Sequence, residues 1–213
     1  MGSLGAAGAP AAGFLALGDS YTIGEGVDAD GRWPQQLVRR LAADGLAPDE
    51  PMIVARTGWA TDELAQAMDQ AVLRPPYALV TLQIGVNNQY RGRNLDDFRD
   101  QFYGLLERAI DLAGDEPRRV VVISIPDWGV TRFAHEQARD TARIAAEIDA
   151  FNATARAVTL AHRACWVDVT ALSREAGADG AMLTGDGLHP SAAQYARWVQ
   201  AIEPVAKAAL GVR

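Results

Sequence analysis

The chain contains five serines and three histidines, so the search for a nucleophile and its base is short. Ser20 follows Gly18-Asp19 at the end of an apolar run, a strand-to-loop turn that can present a hydroxyl to solvent. Of the others, Ser3 lies in the N-terminal tail, Ser124 reads as internal to an apolar strand and Ser173 as a surface residue. Ser191, after Pro190, reads as the N-cap of a last helix. His189 has Asp186 three residues before it. Asp-x-x-His can set a carboxylate against one imidazole nitrogen and leave the other free to take a proton, the orienting half of a nucleophile–base–acid triad. His162 reads as the end of a long helix, where a donor suits the last carbonyls, and His135 as a surface residue. Such a set suits acyl transfer. A serine hydroxyl attacks an ester carbonyl poorly at neutral pH unless a neutral imidazole removes its proton as the bond forms.

These residues need elements to hold them. Apolar runs of strand length recur at Phe14–Leu17, Met52–Ala55, Ala78–Ile84, Val120–Ile125 and Cys165–Val169. They are rich in Val, Ile and Leu with little alternation, the pattern of strands buried on both faces. Amphipathic segments lie at 33–43, 61–72, 95–113, 137–162 and 191–210; in the fourth, Ile144, Ile148, Phe151, Ala155 and Val158 step by three or four. Alternating strand and helix predicts a three-layer α/β/α sandwich around a parallel sheet, with right-handed crossovers. Ligands then bind at the carboxyl ends of the strands. The loops there read Gly18-Asp19-Ser20-Tyr21, Arg56-Thr57-Gly58-Trp59, Gly85-Val86-Asn87-Asn88, Pro126-Asp127-Trp128-Gly129 and Asp186-Gly187-Leu188-His189-Pro190. All should converge on one edge of the sheet.

Those blocks resemble the GDSL-type (SGNH) hydrolases. Gly18-Asp19-Ser20-Tyr21 matches their first block, Gly58 the second-block glycine, Asn87 the third-block asparagine, and Asp186 with His189 the closing Asp-x-x-His. The resemblance covers most of the chain, from Gly18 to Pro190. It implies a flavodoxin-like sheet of five parallel strands, Ser20 as nucleophile, His189 as base and Asp186 as orienting acid. It implies an oxyanion hole from the backbone N–H groups of Ser20 and Gly58 and the side-chain amide of Asn87. Two positions depart from the pattern. Tyr21 replaces leucine, and Asn88 stands where an aspartate often follows the asparagine and supports the loop.

Glycine at 58 also suits a backbone amide aimed into a pocket, and it opens a helix that Thr61 and Asp62 are placed to cap. Trp59 and Trp128 flank the motifs and offer flat walls for a substrate group. Trp33, before Pro34, reads as packing, and Tyr21, Tyr90, Arg91 and Asp127 as solvated loop residues. Pocket shape should come from segments 21–32, 88–94 and 126–136; the last, with Trp128 and Phe133, is the expected selector. Cys165 reads as a buried strand residue.

Length and charge bound the rest. The 213 residues, with no internal repeat, fit one domain over 14–213 behind a flexible, Gly- and Ala-rich tail at 1–13. A net charge of −7 argues against a nucleic-acid or anionic-membrane surface. One cysteine excludes an internal disulfide, and three scattered histidines make a metal hydrolase a poor fit, so no metal and no cofactor are expected. Gly24-Glu25-Gly26 lacks the dinucleotide and phosphate-loop patterns, and Thr22 breaks a G-x-S-x-G elbow. No apolar run is long enough to span a bilayer, and no basic stretch marks a leader, so the chain as written is expected in the cytoplasm. The expected function is a serine esterase acting on small to medium acyl esters. A non-catalytic binding module or an acyltransferase on the same fold is the alternative. The oligomeric state is open.

Overall fold

The computed structural model describes residues 13–46 and 48–211. The expected tail therefore lies outside the described residues apart from Gly13. Five parallel strands form one sheet: β1 Phe14–Gly18, β2 Met52–Ala55, β3 Leu79–Gln83, β4 Val120–Ile123 and β5 Cys165–Val167. Their order is β2-β1-β3-β4-β5, the flavodoxin-like arrangement. The helices are α1 Ser20–Ile23, α2 Trp33–Ala43, α3 Thr61–Gln70, α4 Val86–Tyr90, α5 Leu95–Leu112, α6 Arg132–Glu136, α7 Thr141–Ala161, α8 Thr170–Ala176 and α9 Ala192–Ala209. α2 and α9 pack together on one face of the sheet, and α3, α5 and α7 form the layer on the other.

The central strands β1, β3 and β4 are buried at every position, whereas the edge strands β2 and β5 are partly open. Strands covered on both faces need no alternation, which is why apolar runs marked them. The largest side chains sealed in the core are Trp33, Trp198, Tyr195 and Phe14. Burying a side chain such as that of Phe14 stabilises the fold by about 1.5–3 kcal/mol. Trp33 is thus packing, as its place before Pro34 suggested. Cys165 is only half-buried, because it sits on the edge strand.

Three sequence expectations change. The helix expected over 137–162 starts four residues later: α6 stops at Glu136, Ala138 turns at φ +49, and Asp140 caps α7 (Thr141–Ala161) by accepting from Arg143 N at 3.0 Å. β4 ends at Ile123, so Ser124 lies just beyond the strand, where its buried hydroxyl accepts from the backbone N–H of Val169 (2.8 Å) and of Thr170 (3.2 Å). Ser173 is buried rather than on the surface; it accepts from Asp127 N at 2.8 Å and donates to Thr170 O at 2.6 Å. Ser191 caps α9 as expected, accepting from Gln194 N. His162 closes α7, its Nδ1 lying 2.8 Å from Val158 O. No helix among the described residues is long and apolar enough to cross a membrane.

Candidate active site

The carboxyl ends of β1 and β3 meet tightly. A Cβ on Gly18 would lie 2.5 Å from the carbonyl oxygen of Gln83, so only glycine lets the chain turn there. Asp19 then caps α1, its Oδ1 accepting from Tyr21 N at 3.0 Å, and Ser20 is the first residue of the helix. The turn is sharp enough to leave Ser20 facing a cavity of about 180 Å³. Gly58, Asn87 and His189 line the same cavity, so residues from the ends of β1, β2 and β3 and from the loop between α8 and α9 converge there. Its walls are Tyr21, Val86, Tyr90, Trp128, Phe133 and Leu188, with Thr57 at the rim.

The segment that carries His189 is closed on itself. Thr184 N donates to His189 O at 2.8 Å and Ser191 N to Met182 O at 2.9 Å. Inside this loop Asp186 divides its oxygens. Oδ1 accepts from Thr184 Oγ1 (2.7 Å), Leu188 N (2.8 Å) and His189 N (3.0 Å). Oδ2 takes His189 Nδ1 at 2.6 Å. Partial burial works against the charge on Asp186, but the bonds from His189, Leu188 and Thr184 outweigh it and hold its pKa down at about 2. The carboxylate is therefore ionised through the neutral range. Among the described residues the His189 ring is bonded through Nδ1 alone, which leaves Nε2 unpaired beside the cavity. Among the described residues no hydrogen bond links it to Ser20; hydrogen bonds between catalytic groups often tighten only in the Michaelis complex.

The second and third loops are tied to each other. Gly58 has φ +88, a region in which a side chain is strained. Asn87 Nδ2 donates one of its two protons to Trp59 O at 2.9 Å, and an amide carries a second proton that remains available. Asn88 closes the next tie: its Oδ1 accepts from Thr61 N at 3.1 Å and its Nδ2 donates to Thr61 Oγ1 at 2.7 Å. The missing aspartate thus leaves the loop supported, because an amide both accepts and donates where a carboxylate only accepts. Arg91 adds a third tie, donating to Gly58 O at 2.5 Å and to Glu63 Oε2 at 2.8 Å. Thr61 is the first residue of α3 and not its cap. Ala60 precedes it, and Glu63 Oε2 accepts from Ala60 N at 2.8 Å.

The remaining candidates separate. Trp128 lines the cavity; Trp59 does not, its half-buried ring packing on the core. Tyr21 and Asp127 are buried, not solvated. Tyr21 lies with its ring 5.7 Å from that of His189, and Asp127 pairs with Arg174 at 2.9 Å. Tyr90 lines the cavity although partly exposed, and Phe133 joins it from α6 while His135, on the same helix, stays out. Sequence reasoning missed Thr184, Val86 and Leu188. The position of Leu188 inside Asp-x-x-His and of Val86 beside Asn87 could have signalled two of them.

Asp19 adds a pH dependence. Burial pushes its pKa up to about 7, against the hydrogen bond from Tyr21 N. An unfolded aspartate ionises near ~3.9, so the folded state binds the proton more tightly, and stability falls as pH rises from about 4 through about 7. The loss is at most ~4 kcal/mol. Asparagine keeps an N-cap acceptor and removes the charge. Urea unfolding at pH 5 and pH 8 should therefore show wild type losing stability between the two while Asp19→Asn does not. Equal losses in both proteins would clear Asp19 of the effect.

A five-stranded parallel sheet in this order, with a strand-end serine and a distant Asp–His pair at one edge, is the architecture of the SGNH hydrolases. The chain belongs to the GDSL-like lipase/acylhydrolase family, whose model matches residues 16–197. Solved structures agree on the fold. The crystal structure of TesA is 20% identical with a TM-score of 0.71, covering 92% of this chain and 99% of its own. A lipase/acylhydrolase from Enterococcus faecalis is 23% identical with a TM-score of 0.70, covering 92% of this chain and 95% of its own. A phospholipase A1 from Streptomyces albidoflavus NA297 is 20% identical with a TM-score of 0.66, covering 93% and 99%. No curated protein sequence matches the chain.

Proposed function

We propose that this protein is a serine esterase that hydrolyses small to medium acyl esters through an acyl-enzyme. The observation that carries the reading is the convergence of Ser20, an Asp186-bound His189, Gly58 and Asn87 on one apolar cavity. In this reading Ser20 Oγ attacks the ester carbonyl while His189 Nε2 takes its proton. The oxyanion is met by the backbone N–H groups of Ser20 and Gly58 and the free amide proton of Asn87. His189 returns the proton to the departing alkoxide, and water then repeats the sequence on the acyl-serine. Asp186 keeps the Nδ1 proton in place and stabilises the imidazolium. The acyl range follows from size. A cavity of about 180 Å³ is smaller than the roughly 300–1,000 Å³ of sites that enclose drug-sized ligands.

A fluorophosphonate probe should label wild type at Ser20, located by peptide mass, because only an activated serine reacts quickly. Absence of labelling would favour the non-catalytic binding module. Asn87→Ala tests the oxyanion hole. Loss of one such donor typically lowers kcat by ~10²–10³, about 2.7–4 kcal/mol. The variant should show that loss with KM little changed; an unaltered kcat removes Asn87 from the mechanism.

A further inference from the structure

Behind the substrate cavity lies a second one of about 300 Å³, lined by Gln89, Arg139, Arg143, Ile144 and Glu147 among others. The two cavities share two residues, Tyr90 and Trp128. Their rings meet edge to face with centroids 5.3 Å apart, so the pair stands between the cavities as a partition of two leaves.

The leaves are held differently. Trp128 is buried and pinned. Its indole N–H donates to Gln89 Oε1 at 2.8 Å, Gln89 Nε2 donates to Glu147 Oε2 at 2.8 Å, and Arg143 Nε donates to Glu147 Oε1 at 2.7 Å. Tyr90 ends α4, is 47% exposed, and its hydroxyl has no hydrogen-bond partner among the described residues. What holds it is contact with Trp128 and with Arg139, whose guanidinium lies 5.3 Å from the centroid of each ring. Arg139 is delivered by the left-handed turn at Ala138 that separates α6 from α7. The turn therefore places a cation across both leaves.

Direction follows from the chemistry. His189 must protonate the departing alcohol, so the alcohol leaves on the side of the 186–190 loop. The acyl group takes the other side, past Asn87. Tyr90 lies three residues after Asn87 on α4, a spacing that puts both on one helical face. An acyl chain running away from the oxyanion hole on that side meets the Tyr90–Trp128 pair.

We propose that Tyr90, latched by Arg139, sets the length limit of the acyl group, and that the second cavity is the space a longer chain enters when this leaf is removed or swings out. Apart from Asp140, the polar groups there, Gln89, Arg139, Arg143 and Glu147, sit on longer stems that can lie along an alkyl chain while their heads stay in water. The inference rests on the esterase reading of the same site, so its test has two arms. The first is kcat/KM on p-nitrophenyl esters from acetate to dodecanoate. One methylene is worth roughly 10–200-fold in a hydrophobic pocket, so Tyr90→Ala should raise the dodecanoate-to-butanoate ratio by at least ~10-fold. Arg139→Ala should raise it less, in the same direction, and Tyr90→Phe should keep the wild-type ratio. The second arm is calorimetric binding of the free fatty acids, which needs no turnover. Tyr90→Ala should bind dodecanoate at least ~10-fold more tightly than wild type. Alanine is the best helix former and the site is at a helix end, so the fold should persist. A gain in either arm supports the partition, and a binding gain in a protein that turns over no ester keeps the partition while removing the esterase reading. Identical ratios and affinities in Tyr90→Ala and wild type overturn it.

Discussion

Ser20→Ala is expected to lower kcat on p-nitrophenyl butanoate by about 10⁶-fold, the scale of losing the nucleophile of a triad that acts as a unit. The methyl group cannot form an acyl-enzyme, so only binding and oxyanion stabilisation would remain. The structure makes this a clean substitution. The Ser20 side chain faces the cavity and leaves the strand-to-helix turn to be held by Gly18 and the Asp19 cap. The thermal midpoint should therefore stay close to wild type. Adding His189→Ala should cost little more, since the base has no proton to take once the hydroxyl is gone. Residual turnover within tenfold of wild type would mean that another group attacks the ester.

Asp186→Asn is the second large effect, a fall in kcat of about 10⁴-fold. The reason is a tautomer. Asp186 Oδ2 accepts from His189 Nδ1, which leaves Nε2 as the acceptor. In the variant, the asparagine oxygen can keep the three bonds that Oδ1 now receives from Thr184, Leu188 and His189. Its amide nitrogen then faces His189 Nδ1 and must donate. The imidazole answers by moving its proton to Nε2, where it can no longer accept the serine proton. The loop stays closed and the chemistry stops. Loss of the loop's hydrogen bonds would also lower the thermal midpoint, so a matched midpoint with a collapsed kcat identifies the tautomer as the cause. Because the carboxyl pKa is about 2, wild type should show no loss of activity traceable to Asp186 protonation above about pH 4. A fall in kcat tied to this group at higher pH would contradict the assignment.

Legibility in the sequence followed distance along the chain. The start of α7 was set four residues early, at 137, because its apolar stripe shows only from Ile144 onward. The signal that marks its start is Asp140-Thr141, a cap whose force depends on the turn before it. Ser173 and Asp127 were placed in solvent because both are polar. Each is satisfied by a partner far away in sequence, Asp127 by Arg174 and Ser173 by Asp127 N. Asn88 looked like a loss because its partner, Thr61, lies 27 residues away.

The sequence by itself determined the parallel sheet and named the residues that meet at its edge. Burial on both faces writes itself as apolar runs, and strand-end chemistry as short motifs whose spacing is set by covalent geometry. It determined the Asp186–His189 pair for the same reason, since three residues of chain bring the two side chains together. Only the tertiary structure decided the shape of the cavity. Tyr21 comes from α1, Tyr90 from the end of α4, Trp128 from the segment after β4 and Phe133 from α6. Their meeting depends on how helices from different parts of the chain pack on the sheet. That packing is a sum of many small contacts spread across the molecule, and no local pattern of residues encodes it.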